Sequence, residues 1–416
     1  MKILYVCADR GIPLDGSKGA SIHVRQTVSG LLDRGHDVQV LSARPPARGG
    51  YDCDVIGPAA DGSLLAGRAA GGPGTESDEP FETELRGLAL SYQLAAQPAL
   101  PAAVDAVYER YSLWSLTGLF LARRYRVPLV LEINAPLIEE QRRYRRLCLE
   151  GLAGEIEQKL VREAAAILCV SSPLQRRAAQ LRGTASGVHL FPNAVDTDRF
   201  RPPVAPEADG SAPEGRLDIV FVGSLKPWHG LPTLIQAFAI LAAQNPAARL
   251  WIVGSGPERS NLQRQATTLG LSDRIRFTGA LPHERIPTLL GAVDIAVAPY
   301  PALDQFYFSP LKLTEYLAAG LPVIATQLGD LDAVLGTEES ILEVPPDDPA
   351  ALAGALIRLA HDRQLRQRLG AAGRRVAERH LSLAGALDRL ERLLEQLVHS
   401  PAPANQAEAA CESAMC

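Results

Sequence analysis

The chain lacks the cysteine spacing of a zinc or redox centre: its six cysteines, Cys7, Cys53, Cys148, Cys169, Cys411 and Cys416, form no C-x-x-C pair. Cys7 and Cys169 fall in apolar, strand-like runs and read as core residues. Unpaired cysteines suit a reducing compartment. The eight histidines show no metal-ligand spacing. No G-x-x-x-x-G-K-[ST] loop occurs, which argues against kinase or ATPase chemistry. The loop after the first strand is not G-x-G-x-x-G, which disfavours a nicotinamide cofactor. No stretch approaches the ~18 uninterrupted apolar residues of a membrane span. The opening "MKILYVCADR" is broken by Asp9 and Arg10 before it reaches the length of a signal-peptide core. A cytoplasmic, soluble protein is expected. A dominant charge is missing too: 42 basic against 47 acidic side chains leave −5, and nothing global points to nucleic acid. Met, Phe and Lys are scarce beside Ala, Arg, Gly and Pro, the usage of a GC-rich genome.

What is present is a regular alternation. The 416 residues, 47% of them hydrophobic, suit two domains with ordinary cores. Strand-like apolar runs are expected at 2–7, 37–41, 104–109, 128–133, 166–170 and 188–191, then at 217–222, 249–253, 274–278, 293–298, 322–325 and 341–344. Helical patterns separate most of them, such as Val24, Val28, Leu31 and Leu32 on one face and Leu234, Ile235, Phe238 and Leu241 on another. Strand–helix alternation implies parallel sheets covered on both faces, hence an α/β protein of two doubly wound domains. The split falls at "RPPVAPEADGSAPEGR", residues 201–216, a linker composition. The expected division is 1–200, linker 201–216, 217–380, a helix over 381–398 and a disordered tail over 399–416. A second loose stretch, 57–80, reads as a mobile surface loop.

Ligands of doubly wound domains bind beyond the carboxyl ends of the strands, so the loops there carry the function. In "DRGIPLDGSKGASIH", residues 9–23, Gly16 and Gly19 let backbone approach a ligand, and Lys18 and His23 flank the start of a helix whose free N–H groups suit an anion. A plain strand–helix turn reads equally well there. In "VGSLKPWHG", residues 222–230, Gly223 and Ser224 precede Lys226, Trp228 and His229, and cationic groups at this place point to an anion more than to a packed polar loop. In "VGSGPE", residues 253–258, Gly254 and Gly256 allow backbone contact with a phosphate or base. The fourth stretch is "FYFSPLKLTEYLAAGLPVIAT", residues 306–326. Ser309 is a candidate N-cap and Pro310 a first helical residue. Lys312 in the first turn opposes the helix dipole unless an anion sits there. Glu315, three residues on, suits a ribose diol, and the alternative is a solvated Lys–Glu pair.

Metal ligation reads poorly: D-x-D at 52–54, 196–198 and 330–332 suits turns and caps, with no supporting ligands nearby. In "EEQRRYRRL", residues 139–147, Arg142, Arg143, Arg145 and Arg146 could dock anionic lipid at the inner face of a membrane. A solvated face is the commoner outcome for such a run.

These loops, in this order, resemble the glycosyltransferase family 4 enzymes of GT-B fold, and the chain reads as a divergent, bacterial member. The resemblance covers about residues 1–398. It is strong between 217 and 346, which includes the fourth stretch just quoted and "IVGSGPERSNLQRQATTLGLSDRIRFTGALPHERIPTLLGAVDIAVAPY", and "LFPNAVDTDRF" before the linker looks like the family too. It implies two Rossmann-like domains facing each other across a deep cleft, with the acceptor on the first and the donor on the second. The reaction would be retaining transfer from a UDP- or GDP-linked sugar, with no metal and no cofactor. The acceptor would be a polysaccharide or lipid-linked glycan, or a small natural product. It assigns the ribose to Glu315, the diphosphate to the helix start at Ser309, Pro310, Leu311 and Lys312, with Tyr307 and Phe308 before it as further substrate-binding residues, and the base to the segment of Arg276 and Phe277. Loop 16–19 would reach the diphosphate, and the last helix would cross back to the first domain. The chain departs from the pattern at four places. Tyr307 stands where the family has the first glutamate of E-x7-E, Ser224 where it has arginine, His229 where it has lysine, and Asn134 where it has histidine. A non-catalytic sugar-nucleotide-binding relative and a nucleotide-sugar epimerase are the alternatives.

Overall fold

The computed structural model describes residues 1–16, 18–46, 52–58, 80–203, 216–302, 307, 309, 311–327 and 339–399. The stretch 59–79, most of the linker, the D-x-D at 330–332, Phe308, Pro310 and the tail from Ser400 lie outside the described residues.

Thirteen strands are found among the described residues. In the first series they are β1 (Lys2–Cys7), β2 (Asp37–Ser42), β3 (Val55–Ile56), β4 (Ala106–Arg110), β5 (Leu129–Ile133), β6 (Ala166–Cys169) and β7 (Val188–Leu190). In the second they are β8 (Leu217–Val222), β9 (Ala248–Val253), β10 (Ile275–Gly279), β11 (Ile295–Ala298), β12 (Val323–Thr326) and β13 (Ile341–Val344). All twelve expected strands are present. The two-residue β3 was not expected, because a strand that short carries no alternation to read.

The first sheet runs β3-β2-β1-β4-β5-β6-β7 and the second β10-β9-β8-β11-β12-β13. β1 pairs in parallel with both β2 and β4, and β8 in parallel with both β9 and β11. The strand order therefore reverses between β1 and β4 in one sheet and between β8 and β11 in the other. In open parallel sheets such reversal points open a crevice at the carboxyl ends of the strands. The strands read as continuous apolar runs because helices cover both faces. In the second sheet one face packs Leu234, Phe238 and Leu356, and the other packs Leu317, Tyr316 and Val376.

The chain divides into two compact units, one holding Met1–Cys169, Gln175–His189 and Leu387–Cys416, the other Val170–Leu174 and Leu190–Ala386. The segment "LFPNAVDTDRF" thus belongs with the second unit, where Val195 and Phe200 are core residues. The last helix, Leu383–His399, has its greater part in the first unit. There Leu387 packs so closely on Gly30 that a Cβ on the glycine would lie 2.3 Å from it. Arg34 bridges Asp388 at 2.7 Å and also bonds Glu391, and His36 Nε2 meets Glu391 at 2.8 Å. Among the described residues no helix is long and apolar enough to cross a membrane.

Candidate active site

At the reversal point of the second sheet, β8 ends in Phe221 and Val222, and β11 leads into Tyr300. The helix Leu311–Ala318 delivers Lys312 to this place, where its Nζ lies 4.3 Å from the centroid of the Phe221 ring and 5.0 Å from that of Tyr300. The Nζ atom is shut off from solvent and has no hydrogen-bond partner among the described residues, although part of the stem stays accessible. Burial brings the amine down from its ordinary 10.5 to about 7, against the pull of Glu315.

Glu315 does not pair with Lys312. Its Oε1 accepts from His283 Nε2 at 2.8 Å, which corrects the solvated Lys–Glu alternative. Ser309 is tied to the chain before the linker, not seen capping the helix. Its Oγ accepts the amide N–H of Asn193 at 3.0 Å, and its carbonyl accepts the Asn193 side-chain amide at 2.7 Å. The Tyr307 carbonyl accepts from the Ser171 hydroxyl at 2.8 Å. Leu311 opens the helix.

Two backbone loops are pressed together beneath this helix. Gly223 has φ +152° and Gly254 φ +141°, both outside the range of ordinary side chains. A Cβ on Gly254 would lie 1.8 Å from the Gly223 carbonyl oxygen, and one on Gly256 would lie 2.3 Å from that of Leu225. A Cβ on Gly223 would lie 3.0 Å from Lys312 Nζ. These glycines therefore serve close approach of chain to chain as well as any ligand.

His229 ends a short 3-10 turn, Pro227–His229. Its Nδ1 donates to the Ser224 carbonyl, and its ring lies 5.8 Å from both Phe221 and Tyr300. Burial, then the nearby Lys312 charge, push it from 6.5 down to about 3. That direction favours the neutral ring in the ligand-free chain. Its apolar ring neighbours, invisible in the local sequence, are the reason. Lys226 Nζ lies 5.5 Å from the Trp228 ring.

Arg276 and Phe277 both lie within β10. Arg276 sits within β10 with its guanidinium 4.9 Å from the Trp251 ring, along the sheet face and not beyond the strand end. Phe277 packs against the core.

The first sheet carries a second cluster at its own reversal point. Glu132, 2% exposed, accepts from His23 Nε2 at 2.6 Å, Tyr108 Oη at 2.6 Å, Asn134 Nδ2 at 2.7 Å and Arg110 Nη1 at 3.4 Å. Burial works to raise its pKa, but His23, Arg110 and Tyr108 together outweigh it and hold the carboxyl far below the usual range. Asn134 thus points its NH2 inward, leaving its carbonyl oxygen for a donor such as a sugar hydroxyl. The loop before His23 is tight: a Cβ on Gly16 would lie 2.7 Å from Ser21 Oγ, and the Leu14 and Gly16 carbonyls both accept from Arg25 at 2.6 Å. Lys18 precedes the helix Gly19–Asp33 and offers it no side-chain cap. Glu132, Tyr108, Arg110 and His283 were missed as site residues. The signal for the first three was a charged or hydroxyl group inside "AVYER" and "VLEIN", runs otherwise fit for a buried parallel strand.

The four arginines lie in and after the helix Leu137–Tyr144, all exposed. Arg142 pairs with Glu150 at 3.1 Å, and Arg145 reaches Gln141 at 3.3 Å. Of the D-x-D motifs, Asp196 is a turn former, its Oδ1 accepting the N–H groups of Asp198 and Arg199 at 3.0 Å each.

Comparison with known proteins agrees along most of the chain. Residues 17–199 match the family model "Glycosyltransferase Family 4" and residues 207–376 match "Glycosyl transferases group 1". A D-inositol 3-phosphate glycosyltransferase from Nocardia farcinica is 28% identical over 371 residues, spanning 85% of this chain and 79% of that relative. Among solved structures, sucrose-phosphate synthase from Thermosynechococcus elongatus superposes with a TM-score of 0.74 at 22% identity, covering 95% of this chain and 99% of that one. Anabaena HepE, solved with UDP and glucose, gives 0.68 at 18% identity, covering 95% and 100%.

Proposed function

Because the chain belongs to the family 4 glycosyltransferases and has their GT-B fold of two Rossmann-like units, we propose that it moves a sugar from a nucleotide-diphosphate sugar to a hydroxyl-bearing acceptor, with retention and without a metal. The observation that carries this reading is the buried, unpartnered amine of Lys312, with Glu315 one turn along, at the reversal point of the second sheet. A group of this kind is matched by an anion that removes its desolvation cost. Lys312, the helix start and Lys226 would hold the diphosphate. His229, neutral, would offer a hydrogen bond. Glu315, oriented by His283, would take the ribose. Asn134 would accept from a sugar hydroxyl, with the loop of Gly16, Lys18 and Gly19 nearer the acceptor.

Fixed positive groups aimed at the leaving diphosphate stabilise charge as the glycosidic bond breaks. The acceptor hydroxyl would attack the same face and pass its proton to the departing phosphate. No protein nucleophile is needed. UDP is favoured by the likeness to HepE with UDP and glucose, and a phosphorylated polyol acceptor by the likeness to the D-inositol 3-phosphate enzyme. The exposed Arg142–Arg146 run would serve a lipid-linked acceptor instead. A binding protein without turnover is the second reading, motivated by Ser224, His229 and Tyr307 at positions where the family carries charge.

The test is a thermal-shift screen of UDP-glucose, UDP-N-acetylglucosamine and GDP-mannose. Mass spectrometry of transfer to inositol phosphates, sugar phosphates and lipid-linked glycans follows. Stabilisation by one donor and a product one sugar heavier are expected. Stabilisation without transfer or donor hydrolysis would establish the second reading, and no stabilisation by any donor would end both.

A further inference from the structure

We propose that Lys312 is a proton-taking receptor: its amine, held between Phe221 and Tyr300, takes up a proton from solvent when the donor's diphosphate binds above neutral pH. This rests on the nucleotide-sugar reading above. The step balances as amine plus proton giving ammonium, paired with the diphosphate, and no bond of the donor breaks.

The geometry carries it. Among the described residues the Nζ has two ring faces beside it and no acceptor, and it is shut off from solvent. Rings can face a cation, but they supply none of the three hydrogen bonds an ammonium needs. Burial brings the amine to about 7, so near neutrality both forms are populated in the empty protein.

The other charged groups around it do not remove the conflict. On its own helix Glu315 is turned to His283. From the β8 loop, His229 lies on the same two rings and Lys226 adds a second positive charge to that side. The opposite face of the helix packs on the segment Arg363–Val376, whose Arg374 reaches the Ala318 carbonyl at the far end.

Residue choice points the same way. The chain has five lysines, Lys2, Lys18, Lys159, Lys226 and Lys312, among 42 basic side chains. Its ordinary cation is arginine, which stays charged at all working pH. Only a lysine can be held neutral in such a box.

The sign follows. A diphosphate raises the amine's pKa, so donor affinity is full below the empty-state value of about 7 and declines as pH rises above it.

The test is titration calorimetry of the full chain with UDP-glucose and with GDP-mannose, in two buffers of different ionisation enthalpy. Neither ligand titrates near pH 8, so the proton count belongs to the protein. We expect uptake of about 0.9 proton per site at pH 8, falling toward zero below pH 6. Lys312→Arg should bind with no uptake, and His229→Asn should keep it. Lys312→Met, checked for an unchanged melting profile, covers the case in which the bulkier arginine does not fit. It too should bind without uptake, and more weakly. Donor binding with no proton uptake in the wild type, or uptake that survives in the lysine variants, overturns the proposal while the donor reading stands. No binding of either nucleotide sugar overturns the donor reading and the proposal with it.

Discussion

The two reversal points hold opposite kinds of buried ionisable group. Glu132 in the first sheet is met by four donors, and its charge is locked in. Lys312 in the second is met by two aromatic rings and, among the described residues, no acceptor. A buried charge met by four donors is finished within the fold, and its work is to position its partners. A buried amine met by no acceptor is completed only by something from outside. Loss of the first should therefore be felt as lost stability, and loss of the second as lost binding.

The largest effect is expected at the carboxylate. Glu132→Ala leaves Arg110 buried and His23 half-buried around a missing anion and should cost about 3–5 kcal/mol in urea unfolding. The wild type should carry a matching acid sensitivity. The depressed pKa of Glu132 means its stabilisation is present above the unfolded value of about 4.3 and is lost on acidification below it. Glu132→Gln should flatten that limb of the midpoint-against-pH curve, and an unchanged limb would show that the network holds no charge.

Next comes the lysine. Lys312→Met removes an amine that no described residue pairs with, so unfolding should change by less than about 1 kcal/mol, or shift toward stability. Donor affinity should fall by about ten- to a hundredfold, the worth of a charged hydrogen bond. A variant that unfolds easily yet binds normally would invert the comparison.

Glu315→Gln should be milder. It keeps a partner for His283 and should lower kcat/KM for the donor about tenfold, or 1.4 kcal/mol, chiefly through KM. Wild-type donor kinetics would remove Glu315 from the site. The smallest effect is expected from chelation: activity in EDTA should match the untreated enzyme, and loss with rescue by manganese would move the diphosphate onto a metal.

Strand positions and the placing of loops were legible in the sequence because parallel strands buried on both faces leave plain apolar runs, whereas the order of strands within each sheet was not read from it. Lys312 and Glu315 were legible because a dipole argument attaches to a helix start. Their partners were not. His283 lies 32 residues from Glu315, and Glu132 lies 109 residues from His23. Only the three-dimensional winding brings such pairs together. The surroundings of His229 were not legible for the same reason: the rings that bury it, Phe221 and Tyr300, lie one before it and one far after it. That Phe277 turns toward the core was not legible either, because strand pleat decides which way a ring turns.

The backbone contact between the loops after β8 and β9 bears on how this protein can be re-engineered. With the Gly223 carbonyl where a Gly254 side chain would begin, and the Leu225 carbonyl where one on Gly256 would begin, the two loops form a single interlocking cassette. Transplanting the β8 loop from a relative that carries arginine and lysine at positions 224 and 229 would succeed only if the β9 loop travels with it or is already glycine at both places. In shuffled libraries, crossovers placed between residues 223 and 256 should be depleted among folded clones. Those placed on either side of the pair should survive.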